Sequence, residues 1–210
     1  DWRGDCAIGV YVLDAKAYLA DGYRGLLVLD VSNPASPTLL GSCDTPGYAK
    51  GVYVSGTYAY VADGWGGLRV MDVSDPSHPT EVGFHDTPGS ANDVYVRGSY
   101  AYVADGYHSG LYGALRIIDV SIASDPIEVG FYQTLNPTGV CVSGRYAYLG
   151  DWWAGVRVVD VSDPANPTEV GFYDPGPGVL AAGRLHVSGK YIYVTNYFSG
   201  FLILEFTLLT

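Results

Sequence analysis

Residues 62–84 read "ADGWGGLRVMDVSDPSHPTEVGF". Asp63-Gly64 is turn chemistry, because Gly accepts a positive φ and Asp bonds nearby backbone N–H groups. "LRVMDV" is a short apolar run rich in branched residues, as strands are. "VSDPSHPT" is turn chemistry again, and "TEVGF" fits another strand. Just upstream, "GVYVSGTYAYVADG" (51–64) alternates residue types around Ser55-Gly56, the pattern of a hairpin. The unit is therefore four strands, a to d, at about Val52–Val54, Tyr58–Ala62, Leu68–Val73 and Thr80–Phe84. No window carries a sustained 3.6-residue period, so no helix is expected.

The unit recurs. "LADGYRGLLVLDVSNP" (19–34), "VADGWGGLRVMDVSDP" (61–76), "VADGYHSGLYGALRIIDVSIASDP" (103–126), "LGDWWAGVRVVDVSDP" (149–164) and "VTNYFSGFLILEF" (194–206) align on Asp21, Asp63, Asp105, Asp151 and Asn196. The spacings between those residues are 42, 42, 46 and 45. A four-stranded repeat of that length predicts one all-β domain, a five-bladed β-propeller, with blades at about 7–47, 48–89, 90–136, 137–178 and 179–210. Blades pack face to face, which explains middle strands that are apolar throughout. Tyr18, Tyr60, Tyr102, Tyr148 and Tyr193 recur in strand b and are expected between blades. The five copies are expected to close into one ring. The last copy stops after strand c, so its blade is expected to lack strand d. Its edge would then be covered by the segment near Trp2, by the tail after Phe206, or by a second chain.

Strand c reads "LLVLDVSNP", "LRVMDVSDP", "LRIIDV", "VRVVDVSDP" and "FLILEF". This pattern resembles the LVIVD-repeat family, over about Ala7 to Phe206. The last copy departs from it, with Asn196 and Glu205 where the others carry Asp. The resemblance implies a secreted or cell-surface β-propeller of bacteria or archaea. It implies no catalytic residues.

Composition narrows the partners. The formal net charge is −11, with only Lys16, Lys50 and Lys190 as lysines, so a polyanionic nucleic acid is not expected to bind. No apolar stretch approaches the roughly 20 residues of a membrane helix, so no membrane insertion is expected in this segment. Cys6, Cys43 and Cys141 are odd in number and lack metal-ligand spacing.

In a propeller the b–c and d–a loops share one face. That face should carry the rings Tyr23, Trp65, Tyr107, Trp152, Trp153 and Tyr197, beside Asp21, Asp63, Asp105, Asp151 and Asn196. Two readings are open. In one, the rings cover neighbouring blades and the acids cap turns, as repetition favours. In the other, rings and carboxylates bind glycans, rings against sugar faces and carboxylates to hydroxyls. Trp153 breaks the repeat, since Arg24, Gly66 and His108 stand in its place in blades 1 to 3. Blade 3 has a longer b–c loop with His108 and Tyr112. Arg69, Arg116 and Arg157 on strand c are read as structural ion pairs, and Asp30, Asp72, Asp119 and Asp160 as turn caps. "RGD" at 3–5 carries little weight, because three common residues meet easily by chance. No triad, phosphate loop or metal motif appears, so no catalytic residue, metal or cofactor is assigned. The expected function is a non-catalytic extracellular or surface module for interaction or assembly, with a protein partner or self-association through the open edge of blade 5. A lectin-like binder is the alternative, and a channel-centred hydrolase a third.

Overall fold

Alternating strands and Gly/Asp/Pro turns leave one solution, stacked antiparallel hairpins, and that is the arrangement found. The computed structural model describes residues 6–110, 112–174, 182–196 and 200–206, and every regular element among them is a strand. Blade 1 holds β1 (Gly9–Leu13), β2 (Lys16–Ala20), β3 (Leu26–Asp30) and β4 (Thr38–Cys43). Blade 2 holds β5 (Gly51–Ser55), β6 (Tyr58–Ala62), β7 (Leu68–Asp72) and β8 (Thr80–His85). Blade 3 holds β9 (Ser90–Arg97), β10 (Tyr100–Gly106), β11 (Ala114–Asp119) and β12 (Ile127–Gln133). Blade 4 holds β13 (Pro137–Ser143), β14 (Tyr146–Asp151), β15 (Gly155–Asp160) and β16 (Thr168–Tyr173). Blade 5 holds β17 (Ala182–Ser188), β18 (Tyr191–Asn196) and β19 (Gly200–Glu205). Each blade is one antiparallel sheet in chain order, and the fifth has three strands among the described residues.

The register repeats as the residues do. Tyr58 faces Asp72, Tyr100 faces Asp119 and Tyr146 faces Asp160. A bulge recurs between strands c and d, after Val28, Val70, Ile117 and Val158. Bulges increase twist, which suits blades stacked around an axis. Asp30, Asp72, Asp119 and Asp160 each accept from the backbone N–H of the serine two residues on, at 2.8, 2.8, 2.8 and 3.0 Å. They cap the c–d turns as expected. For Asp72 these bonds to Ser74 hold the carboxyl below the usual range.

The core lies between successive blades. Leu68 and Val70 of β7 pack with Val94 and Val96 of β9 in one cluster, and three equivalent clusters join blades 1–2, 3–4 and 4–5. Each such aliphatic side chain stabilises the fold by about 1.5–3 kcal/mol relative to leaving it in water. Tyr18, Tyr60, Tyr102 and Tyr148 are all buried there.

The five sheets make the expected five-bladed β-propeller, and the junction of blade 5 with blade 1 differs from the other four. Among the described residues no hydrophobic cluster joins blade 5 to blade 1. Val10 and Val12, equivalents of the buried Val94 and Val96, are 62% and 61% exposed. Phe201 and Ile203, equivalents of Leu68 and Val70, are each 58% exposed. The two halves of an ordinary blade interface thus stand uncovered at the two ends of the array. The end of blade 5 differs in a second way. A β-carbon built on Gly83 or Gly130 of strand d would lie 2.1 or 2.3 Å from a backbone oxygen of the next blade's c–d turn. At Gly171 that neighbour is the Phe206 ring, at 3.2 Å. The "RGD" segment, the segment near Trp2 and the tail after Phe206 lie outside the described residues.

Candidate functional site

The b–c turn explains where its residues go. In blade 2 the Asp63 N–H donates to Gly67 O, and the Gly66 and Gly67 N–H groups donate back to Asp63 O and Gly64 O, at 2.8, 2.9 and 3.2 Å. With Gly64 at φ 57°, this closed turn lifts residue 65 to its apex and points residue 63 inward. Trp65 is accordingly 65% exposed and Asp63 fully buried. Asp21, Asp105, Asp151 and Asn196 are buried as well.

The buried carboxylates have occupants. Asp63 accepts from Thr45 Oγ1 at 2.6 Å and from the Gly47 N–H at 2.7 Å, so it pins the loop that arrives from blade 1. Burial pushes its carboxyl up, against the lowering by those two donors. Asp151 does the same for the loop from blade 3, accepting from Thr134 Oγ1 at 2.6 Å and from the Leu135, Asn136, Trp153 and Ala154 N–H groups at 3.0 Å each. Asp105 accepts from Gly89 N–H at 3.1 Å and Arg116 Nε at 3.0 Å. Asp21 pairs with Arg24 at 3.1 Å. Asp63, Asp105 and Asp151 are crossover locks whose carboxylates face protein, while Asp21 pairs within its own turn.

The rings face out. Tyr23, Tyr107 and Trp153 are exposed with Trp65, while Trp152 is half-buried. Tyr107 and Trp153 meet edge to face across the blade 3–4 boundary at 5.6 Å, and Trp65 approaches His108 of the long blade 3 loop at 6.0 Å. Tyr197 lies outside the described residues. The rings at the described positions are thus at the surface or half-buried, and the acids bond protein groups, as the turn-capping reading has it.

Strand c carries the expected ion pairs. Arg116 joins Asp105 and Glu128, at 3.0 and 3.3 Å, and Arg69 reaches Glu81 and Asp86, at 3.7 and 3.0 Å. Arg69, Arg116 and Arg157 also lie over Phe84, Phe131 and Phe172.

Two features escape a repeat-based reading. The first is the axis. One position of the innermost strands is occupied by Gly9, Gly51, Asp93, Gly139 and Arg184 in blades 1 to 5. Arg184 Nη1 meets Asp93 Oδ1 at 2.8 Å, and Arg184 Nη2 donates to Lys50 O, so blade 5 is tied across the axis to blades 3 and 2. A β-carbon on Gly51 would stand 2.8 Å from Asp93 Oδ1, and one on Gly139 2.9 Å from Arg184 Cα. At Gly51 glycine leaves room for the Asp93 carboxylate, and at Gly139 for the β17 backbone, whose Gly183 O would lie 2.7 Å from a β-carbon. Two residues on, Tyr11, Tyr53 and Tyr95 form a ladder with ring centroids 4.7 Å apart. Buried Cys141 holds the same position in blade 4, and all three cysteines are free thiols.

The second is a pocket of about 340 Å³ on the ring-bearing face, lined by Tyr23, Tyr48, Lys50, Gly64, Trp65 and Ser90. Lys50 Nζ donates to Ser90 Oγ at 2.9 Å and Asn92 Oδ1 at 2.8 Å. Departure from the repeat is the signal that finds both features. Lys50 stands where Ile8 and Asn92 stand in the neighbouring blades, and Asp93 and Arg184 stand where glycine recurs.

A family model described as the LVIVD repeat matches residues 7–45, 46–87, 88–134, 137–175 and 181–204. None of the curated proteins matches the chain. Among solved structures, a functionally unknown protein from Desulfotomaculum acetoxidans DSM 771 is similar with a TM-score of 0.76 at 12% identity, covering 98% of this chain and 67% of its own. The computationally designed Ika8 protein is similar with a TM-score of 0.71 at 9% identity, covering 94% of this chain and 57% of its own. The designed Ika4 protein gives 0.59 at 8% identity, covering 77% of this chain and 93% of its own. The chain thus spans 57% of the length of Ika8. At these identities the likeness is one of fold.

Proposed function

The chain belongs to the LVIVD repeat family, and we propose that it acts as a non-catalytic interaction module, extracellular or at the cell surface, that associates through the uncovered ends of its blade array. The observation that carries this reading is the pair of exposed apolar faces, Val10 and Val12 on blade 1, Phe201 and Ile203 on blade 5. Repeat symmetry makes them complementary: they are the two halves of the interface that Leu68, Val70, Val94 and Val96 form inside the array. Contiguous apolar surface of this kind is a contact surface in most proteins that carry it. Among the described residues β19 pairs only with β18 and leaves an edge, beside a cleft of about 600 Å³ lined by Val170, Phe172, Ile203 and Phe206. The filled axis supports the non-catalytic reading, since Arg184 and Asp93 occupy the position where a channel site would need free groups. Blade 5 of one copy meeting blade 1 of a second is a head-to-tail contact, able to extend. Light scattering across concentration tests it. The wild type should gain mass, and Val12→Asp and Ile203→Asp should each remain monomeric. A wild type that stays monomeric at every concentration, with the same thermal midpoint as both variants, contradicts the reading.

A second reading, carbohydrate binding on the ring-bearing face, is favoured by one observation. Tyr23, Trp65, Tyr107 and Trp153 present solvent-facing rings on one side of the molecule. The Asp locks do not serve it, so any polar partner must come from elsewhere on that face.

A further inference from the structure

We propose that the pocket of Tyr23, Tyr48, Lys50 and Trp65 binds an acidic sugar, its carboxylate on Lys50 Nζ and its ring against Trp65 and Tyr23. This deepens the carbohydrate reading and rests on it.

The argument begins with an unbalanced charge. In a protein of net charge −11, Lys50 has no carboxylate partner within ion-pair distance among the described residues. Nearby cations are paired, Arg184 with Asp93 across the axis and Arg24 with Asp21 in the blade 1 turn that carries Tyr23. Lys50 makes two bonds, both to neutral oxygens, those of Ser90 and Asn92. An ammonium has three N–H donors, so one remains for a ligand. Burial pushes this ammonium down from the usual lysine range, which is the cost that a bound anion would offset.

Repetition does not require these residues. Lys50 and Tyr48 correspond to Ile8 and Cys6 in blade 1, and to Asn92 and Ser90 in blade 3. The blades fold with other residues at both positions, so the Tyr48–Lys50 pair is a local addition. Two neutral acceptors alone would be served as well by an uncharged side chain.

The ligand class follows from what surrounds the charge. One cation and the Ser90 hydroxyl suit a monoanion, whereas a phosphate dianion would call for more positive charge than this surface offers. Trp65 and Tyr23 are each 65% exposed and flank the pocket, with Tyr48 edge-on to Tyr23 at 4.7 Å. Such walls take the C–H face of a pyranose. At about 340 Å³ the pocket is at the small end for ligand sites, suited to one sugar unit.

The test is an NMR titration of the Trp65 indole N–H, assigned with Trp65→Phe. Three probes separate the terms: D-glucuronate, methyl glucoside (a ring without charge) and acetate (charge without a ring). Glucuronate should bind at least about tenfold more tightly than either of the others, and Lys50→Gln should erase its advantage over methyl glucoside. Equal affinities for glucuronate and methyl glucoside, or an advantage that survives Lys50→Gln, overturn the proposal while leaving carbohydrate binding in place. Acetate binding as tightly as glucuronate overturns it too, because the rings then contribute nothing. If no probe moves the resonance, both the proposal and the carbohydrate reading fail. The wild-type comparison stands on its own should Lys50→Gln fold poorly.

Discussion

Arg184 shows how much one side chain can hold. It joins three blades, bonding Asp93 on β9 and the Lys50 O just before β5 from its place on β17. Burial pushes the Asp93 carboxyl up, and the Arg184 guanidinium opposes that rise. Removing the arginine alone leaves a buried carboxylate without its cation. A fully buried pair broken this way costs about 3–5 kcal/mol; Arg184 is partly exposed, so about 2–3 kcal/mol is expected for Arg184→Met. The pH dependence has a definite sign. A carboxyl whose folded pKa is raised penalises the fold most above that pKa. The penalty should therefore be full above the folded value, ease as pH falls through it, and vanish below the ordinary aspartate range near 4. Urea denaturation from pH 8 to pH 4 measures it. Asp93→Leu combined with Arg184→Met should recover most of the loss, because a well-packed apolar pair needs no partner. A double variant no more stable than the single one would show that the bond to Lys50 O, and not the charge pair, matters. Neither residue is singled out by composition or periodicity, because each occurs once in the repeat. Both were legible only as departures from glycine at one aligned position.

At the scale of the element, the crossover loops are fastened by Thr-to-Asp locks. Thr45 bonds Asp63 and Thr134 bonds Asp151, each at 2.6 Å. Thr87 holds the corresponding place before blade 3, yet its buried hydroxyl has no hydrogen-bond partner among the described residues. The three threonines should therefore respond differently to an isosteric change. Thr45→Val and Thr134→Val should each cost about 1–3 kcal/mol by leaving a buried carboxylate short of a donor. Thr87→Val should be neutral within about 0.5 kcal/mol, or stabilising. Equal losses at all three positions in thermal denaturation would mean that the third lock forms as well. The strands themselves were plain in the sequence. The stretch around Leu68–Val73 predicts strand c, found at Leu68–Asp72, and the Tyr58–Ala62 strand is found with those bounds. Alternation and branched apolar runs carry that information locally. Whether an Asp at a loop apex points to solvent or to a neighbouring loop is a tertiary matter, and the repeated Asp-Gly-aromatic motif reads the same either way. So the motif left both readings open, and the structure puts Tyr23, Trp65, Tyr107 and Trp153 outside and the acids inside.

For the molecule as a whole, five repeats specify five blades and four packed interfaces. They do not specify whether the last face meets the first. That depends on the small rotation between blades, which no single repeat encodes. Strand d is absent from blade 5 among the described residues, as the truncated fifth copy predicts. The uncovered faces of blades 1 and 5 are the central claim, since the proposed association follows from them. Hydroxyl-radical footprinting at two protein concentrations tests it most directly, reading Val10, Val12, Phe201 and Ile203 against the buried Leu68 and Val70. The account predicts strong labelling of the four end residues in dilute solution and their protection when concentrated. Protection of those four equal to that of Leu68 and Val70 at both concentrations would contradict it, because the ring would then be closed within one chain.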